Sequence, residues 1–355
     1  MYLEFFGLRE HPFRLTPDAD FLFMSRAHAR AKAYMDYTVL SRDGFVVVTG
    51  DIGSGKTTLL NKLLDELPDD VVVAKIFQTQ LNEIEFLQAV LAEFGEPANT
   101  TSKVELLNTL NDFLIDCYRR NERALLIVDE AQNLSEKVLE EIRLLSGLET
   151  NKDKLISIIL SGQPELAELV DAPHMEQLAQ RVRLRFHLTA LSEDETRDYI
   201  RHRLDVAGYS GEDLFDEEAY AIIYEYSGGV PRLINSVCDM ALLSAYVDES
   251  PTVTPRIVRS AIEELGWVPF HERPTQVLKT KKTAVAMPLL PVAGEDGGAP
   301  ALAAASALTA EISEKVTRLH DFVPRMSAGL MGKMRLIEEQ LKDLTRELKS
   351  REFKD

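Results

Sequence analysis

Gly50-Asp51-Ile52-Gly53-Ser54-Gly55-Lys56-Thr57 is the feature that most narrows what this chain can fold into. It matches GxxxxGK[ST] in full. A short apolar run, Phe45 to Thr49, precedes it, and helical spacing of apolar residues continues after it to about Leu67. A strand, a glycine-rich turn and a helix in that order form a cradle for phosphate. The glycines let backbone N–H groups point inward at phosphate oxygens, and the helix adds its positive dipole end. Lys56 is expected to reach the β- and γ-phosphates, and the Thr57 hydroxyl to coordinate Mg²⁺. Residues Gly50 to Thr57, with Thr58 beside them, are the expected binding loop for ATP.

Such a loop needs an acidic partner on a neighbouring strand. Ala124-Leu125-Leu126-Ile127-Val128-Asp129-Glu130 supplies one: an apolar run of buried-strand type, then two carboxylates at its C-terminal end. That edge of an open α/β sheet is where ligands bind. Asp129 is expected to hold Mg²⁺. Glu130 is expected to orient and polarise an attacking water, the role of a hydrolase.

Three more runs read as strands: Val71 to Phe77, Leu155 to Leu160 and Leu184 to Leu188. Helical patterns cover about Ser25 to Ser41, Glu83 to Phe94, Lys103 to Arg119 and Glu136 to Ser146. Apolar strands alternating with helices predict a five-stranded parallel sheet covered on both faces, the P-loop NTPase type of α/β fold. After Leu191 the strands stop. Ser192-Glu193-Asp194-Glu195 is a capping box, and helices follow to about Ala207, then over Asp216 to Tyr226, Pro231 to Tyr246 and Thr254 to Leu265. The expected domains are an aromatic segment and helix packing on the ATPase core (1–40), the nucleotide-binding domain (41–191), a helical lid (192–268), a flexible Ala/Pro/Gly-rich linker (269–310) and an amphipathic helix (311–355). In that last helix Leu330, Met334, Ile337, Leu341, Leu344 and Leu348 are spaced as an a/d seam. The seam fits a coiled coil, with itself or a protein partner, and equally a helix docked on its own chain.

Three further groups are candidates for reading nucleotide. Leu160-Ser161-Gly162-Gln163-Pro164 ends the fourth strand, so Gln163, with Ser161 as the alternative, is placed to touch the γ-phosphate or the attacking water. Arg181, just before the fifth strand, could reach a phosphate in a neighbouring subunit. Arg183 and Arg185 fit a basic strand edge that pairs with the acidic surface. Arg232, in Gly228-Gly229-Val230-Pro231-Arg232, opens a helix whose dipole it opposes, which makes better sense beside an anion.

Charge separates the partner classes. The chain carries 58 acidic and 40 basic residues, a net of −18. From Pro269 onward the net is +2, so the first 268 residues hold −20. That surface repels a phosphate backbone and makes no strong case for nucleic acid. Only Cys117 and Cys238 occur, without a CxxC, which excludes a disulfide scaffold and a cysteine zinc site. No stretch reaches the ~18 apolar residues of a spanning helix, so no direct membrane insertion is expected.

These motifs together resemble an AAA+ ATPase over roughly residues 1 to 268. The opening Phe5-Phe6-Gly7-Leu8, Pro12-Phe13 and Thr16-Pro17-Asp18, with Asp129-Glu130-Ala131-Gln132-Asn133-Leu134, Gly162-Gln163-Pro164-Glu165-Leu166 and Gln180-Arg181-Val182, resemble the general secretion pathway protein A type. Met175 to Arg185 and Arg232 to Asp239 look similar to the putative secretion ATPase of exosortase (PEP-CTERM) and exopolysaccharide loci. The resemblance implies that Lys56 and Thr57 are Walker A, Asp129 and Glu130 Walker B, Gln163 sensor 1, Arg181 the arginine finger and Arg232 sensor 2. The aromatic segment would help enclose the adenine. It further implies Mg-dependent ATP hydrolysis in a homo-oligomer with the nucleotide at subunit interfaces, serving export or assembly of envelope material. The alternative is a nucleic-acid-associated regulator of the transposition or helicase-loader type. A third is an adaptor in which nucleotide is structural. Secretion-pathway A proteins typically continue into a membrane span and a peptidoglycan-binding region; no such pattern occurs in these 355 residues. The expected location is therefore cytoplasmic, with any recruitment to the inner membrane through a partner.

Overall fold

The computed structural model describes residues 2–41, 44–150 and 153–273. The expected linker beyond residue 273 and the expected helix 311–355 with its seam lie outside the described residues.

Elements run in the order α1 (Tyr2–Phe6), α2 (Arg26–Leu40), β1 (Phe45–Gly50), α3 (Lys56–Asp65), β2 (Val71–Ile76), α4 (Glu83–Glu93), α5 (Lys103–Arg119), β3 (Arg123–Val128), α6 (Glu136–Leu145), β4 (Ile156–Gly162), α7 (Pro164–Val170), α8 (Glu176–Ala179) and β5 (Leu184–Leu188). Four helices follow without another strand: α9 (Glu193–Val206), α10 (Glu217–Ser227), α11 (Pro231–Val247) and α12 (Pro255–Leu265). The five strands form one parallel sheet in the order β2-β3-β4-β1-β5.

Apolar side chains alternate between two cores, one on each face of the sheet. Leu126, Val128, Ile158 and Leu160 enter the layer beneath α4, α5 and α6. Leu125, Ile127, Val46 and Val48 enter the layer with Met35 of α2 and Leu59 and Leu63 of α3. Every residue of β1 and β4 is buried, which is why these segments are unbroken apolar runs. Helix starts carry side-chain caps: Ser25 accepts from His28 N, Asn82 and Glu85 form a capping box, and Ser192 and Glu195 form the expected one.

The aromatic segment departs from expectation. Tyr2, Phe6, Leu8, Phe13 and Phe21 are buried in the core of the helical domain, with Ile200, Phe215, Ile234 and Leu242, and not in the ATPase core. From residues 1–40 it is α2, with Leu22 just before it, that packs on the sheet. The reason is available apolar area. The sheet faces are already closed by α2 to α6, whereas four short helices alone leave an open core that large aromatics fill. Tyr2 Oη also donates to Asp239 Oδ1 of α11 at 2.6 Å, tying the chain's start to the lid.

Candidate nucleotide site

The strand order sets the geometry. β4 lies between β1 and β3, so its C-terminal tip stands between the glycine loop after β1 and the carboxylates after β3. α11 brings Arg232 over the loop, and residues 14–18 close another side. The resulting cleft is open to solvent on one side and has a volume of about 250 Å³. Ile52, Gly53, Gly55, Lys56, Thr57, Thr58, Glu130, Gln163 and Arg232 all line it.

The loop is shaped by two glycines with left-handed backbone, Gly53 at φ 82° and Gly55 at φ 96°. Gly53 has a second constraint. A Cβ there would lie 2.5 Å from the Arg232 Cβ, and its carbonyl accepts from Arg232 N at 3.2 Å. The lid therefore rests directly on the loop. Ser54 is buried and its Oγ has no hydrogen-bond partner among the described residues.

Lys56 Nζ donates to the carbonyls of Gly50 at 2.7 Å and Asp51 at 2.9 Å. Burial pushes its ammonium below the ordinary lysine range, and Glu130, Asp129 and Asp51 oppose that shift. Thr57 Oγ1 donates to Asp129 Oδ2 at 2.7 Å, and Glu130 N donates to Asp129 Oδ1 at 3.0 Å. Hydroxyl and carboxylate oxygens brought together this way are a donor set suited to Mg²⁺. Glu130 itself sits at φ 53°, a costly conformation for a side-chain-bearing residue and one that recurs at functional sites. Its Oε2 accepts from Gln163 Nε2 at 3.3 Å and from Gln132 Nε2 at 2.6 Å.

Of the two candidates at the β4 tip, Gln163 lines the cleft, while Ser161 is fully buried within the sheet. Arg181 does not line the cleft of its own chain. Its exposed side chain follows α8, makes no hydrogen bond or ion pair among the described residues, and lies near Glu149, whose carboxyl is lowered mainly by Lys154 and to a smaller extent by Arg181. Arg185 pairs with Asp171, an ion pair of the expected surface kind.

The aromatic segment, expected from the resemblance to help enclose the adenine, lines the cleft through Arg14, Leu15, Thr16, Pro17 and Asp18. Sequence reasoning passed over other residues of the site. His28 Nε2 lies 3.1 Å from Ser54 O, while its Nδ1 lies 2.7 Å from Ser25 Oγ, which fixes the P-loop to the start of α2. Tyr199, Arg203 and Asn235 line it from the lid. Their signal is weak: a lone His, Arg or Asn in a helical pattern announces nothing until its partner is known.

Comparison with known proteins agrees with this architecture. The AAA domain family model matches residues 39–170. General secretion pathway protein A of Aeromonas hydrophila is 39% identical over 269 residues, covering 76% of this chain and 49% of that protein. The chain thus spans about half the length of this curated relative. Among solved structures, ORC2 of Aeropyrum pernix in its ADPNP-ADP complexes superposes with a TM-score of 0.56 at 20% identity, covering 73% of this chain and 72% of that one. Cdc6p of Pyrobaculum aerophilum gives 0.55 at 17% identity, covering 70% and 71%. Drosophila ORC bound to DNA gives 0.54 at 18% identity, covering 72% and 64%. These likenesses are of fold. The chain carries a P-loop NTPase domain of the AAA+ type with a helical lid, and is similar in sequence to a general secretion pathway protein A. Among the described residues no helix is long and apolar enough to cross a membrane.

Proposed function

We propose that this protein binds ATP with Mg²⁺ in the cleft and hydrolyses it, and that the cycle drives a motor or switch in export or assembly of envelope material. The observation that carries the reading is convergence. Lys56, the Thr57–Asp129 pair, the Glu130–Gln163 pair and Arg232 reach one cleft from separate elements. The loop amides and Lys56 bind phosphate, and Thr57 and Asp129 hold the metal. Mg²⁺, when bound, neutralises charge on the phosphoryl oxygens. Glu130 orients and polarises water, Gln163 reads the γ-phosphate side, and Arg232 adds positive charge from the lid.

Arg181 is supplied in trans within a homo-oligomer; its exposure outside its own cleft supports that role. Similarity to a general secretion pathway protein A over three quarters of the chain supports a place in secretion. The narrower assignment, to an exosortase or exopolysaccharide system, rests on the Met175 to Arg185 and Arg232 to Asp239 segments. The segment 311–355, expected from its sequence to be an amphipathic helix, is the proposed contact with a protein partner, one that brings a cytoplasmic ATPase to the inner membrane.

The test is paired. Lys56→Ala should abolish nucleotide binding, while Glu130→Gln should bind ATP without turnover. Wild-type hydrolysis by Glu130→Gln would sink the catalytic assignment. Affinity capture with Glu130→Gln and ATP should then recover envelope-assembly proteins. A salt-sensitive DNA shift dependent on ATP would instead favour the nucleic-acid regulator, against which the −20 balance of residues 1–268 now stands.

A further inference from the structure

Glu130 is held by more than its own strand. Gln132, in a single 3₁₀ turn over Ala131–Asn133, donates through Nε2 to Glu130 Oε2 at 2.6 Å. The other end of the same amide, Oε1, accepts from the backbone N of Gln163 at 3.0 Å. A backbone N–H can only donate, so the carbonyl end of the Gln132 amide must face it and the NH₂ end must face the carboxylate. One side chain therefore bridges the carboxylate after β3 to the tip of β4.

The neighbouring glycine makes room for this bridge and for Leu166 of α7. Gly162 ends β4 without a positive φ, so its identity is not a backbone requirement. A Cβ on Gly162 would lie 2.7 Å from Gln132 Oε1, 2.9 Å from Leu166 Cδ2 and 3.2 Å from Gln132 N. The strand tip is kept bare where the Gln132 amide crosses it.

The bridge also decides which oxygen of Glu130 is available. Oε2 receives both Gln132 Nε2 and Gln163 Nε2, which occupies its two lone-pair sites. No hydrogen bond reaches Oε1 among the described residues, although Glu130 lines the cleft. We propose that Gln132 is a positioning residue for hydrolysis, locking Glu130 so that Oε1 is the atom offered to the attacking water. The lock is anchored on Gln163, so a shift of the β4 tip on contact with the γ-phosphate moves the base with it. The proposal deepens the ATPase reading above and rests on it.

The experiment compares Gln132→Ala, Gln132→Met and Gly162→Ala with wild type and Glu130→Gln. Nucleotide affinity is read with a fluorescent ATP analogue, and chemistry by single-turnover hydrolysis of ATP across pH 5.5–9. The expected result is kcat lower by about 10²-fold, the cost of a misplaced group of about 1 Å, with affinity within about threefold of wild type. Gln132→Met keeps the volume and removes the amide, so it separates positioning from packing if the alanine variant folds poorly. In a Glu130→Gln background, Gln132→Met should cost nothing further, because the two act as one unit. The proposal is overturned by full kcat in Gln132→Met, by equal loss of affinity and kcat, or by an additive double variant. Turnover by Glu130→Gln at the wild-type rate would instead remove the ATPase reading itself.

Discussion

Thr57 Oγ1 and Asp129 Oδ2 stand 2.7 Å apart, joining the first turn of α3 to the end of β3. The two residues come from separate motifs, and the order of β3, β4 and β1 in the sheet brings them together. The pair predicts how the protein answers to metal. Asp129→Asn keeps an acceptor for the Thr57 hydroxyl and loses the charge. Nucleotide binding measured without Mg²⁺ should therefore hold within a few-fold, while the gain conferred by Mg²⁺ disappears. Turnover should fall at least about 100-fold, because metal charge stabilisation is worth several kcal/mol. Equal binding losses with and without Mg²⁺ would show a merely structural pair.

Gly53 predicts a different failure. A side chain there must adopt φ near 82° and also displace Arg232, whose Cβ would be 2.5 Å away. Strain of about 1–3 kcal/mol can be relieved only by lifting the N-terminus of α11. Gly53→Ala should thus weaken ATP more than Arg232→Ala does, since it damages loop and lid together. Isothermal titration of both variants checks this. Stronger binding by Gly53→Ala than by Arg232→Ala would refute the contact.

Legibility followed sequence distance. The glycine loop was readable because strand, turn and helix are contiguous, and Asp129-Glu130 because the five apolar residues Ala124 to Val128 announce a buried strand. The strands matched to within two residues at either end for the same reason. The bridge from Gln132 to Gln163 crosses 31 residues, His28 to Ser54 crosses 26, and Arg203 to Pro12 crosses 191. No periodicity encodes such pairs. The aromatic segment was assigned to the wrong core for a related reason: composition shows that Phe6, Phe13 and Phe21 must be buried, and only packing shows where.

His28 predicts a pH response. Its Nε2 faces the Ser54 carbonyl, which can only accept, so Nε2 carries the proton and Nδ1 accepts from Ser25 Oγ. Burial lowers the imidazole below its ordinary value; the Ser54 carbonyl and the nearby Glu195 act the other way. A folded value below the unfolded one means the unfolded chain binds the extra proton. Stability is complete above about pH 6.5 and falls as pH drops below it, until the folded imidazole also titrates. His202 is lowered by burial as well and adds to the same slope. Replacing His28 by Gln should flatten part of the wild-type decline in melting temperature between pH 7 and 5. Parallel curves for the two proteins would exclude His28 as a source.

Arg203 tests whether the aromatic segment is part of the nucleotide site or only attached to it. The residue is 6% exposed and has no carboxylate within ion-pair distance among the described residues. Its guanidinium is satisfied by the Pro12 carbonyl, by Tyr199 Oη at 3.0 Å and by the Arg14 carbonyl at 3.4 Å, and its centre lies 4.7 Å from the Phe21 ring. Asn235 of α11 donates to the same Arg14 carbonyl at 3.2 Å and accepts from Tyr199 Oη at 2.8 Å. The cation thus sews residues 12–21 to α9 and α11, and residues 14–18 are a wall of the cleft. Arg203→Met removes a costly buried charge, which offsets some of the loss, but leaves the carbonyls of Pro12 and Arg14 with fewer donors. Unpaired buried polar groups cost ~1–3 kcal/mol each, so the net expectation is a loss of about 2 kcal/mol. The segment should become sensitive to trypsin at Arg9 and Arg14 before the rest of the domain unfolds, and ATP affinity should fall although no loop residue has changed. ATP should restore protection in wild type more than in the variant. Full resistance of the segment in Arg203→Met, at unchanged affinity, would mean that burial of Phe6, Phe13 and Phe21 alone holds it and that the cation has no part in shaping the site.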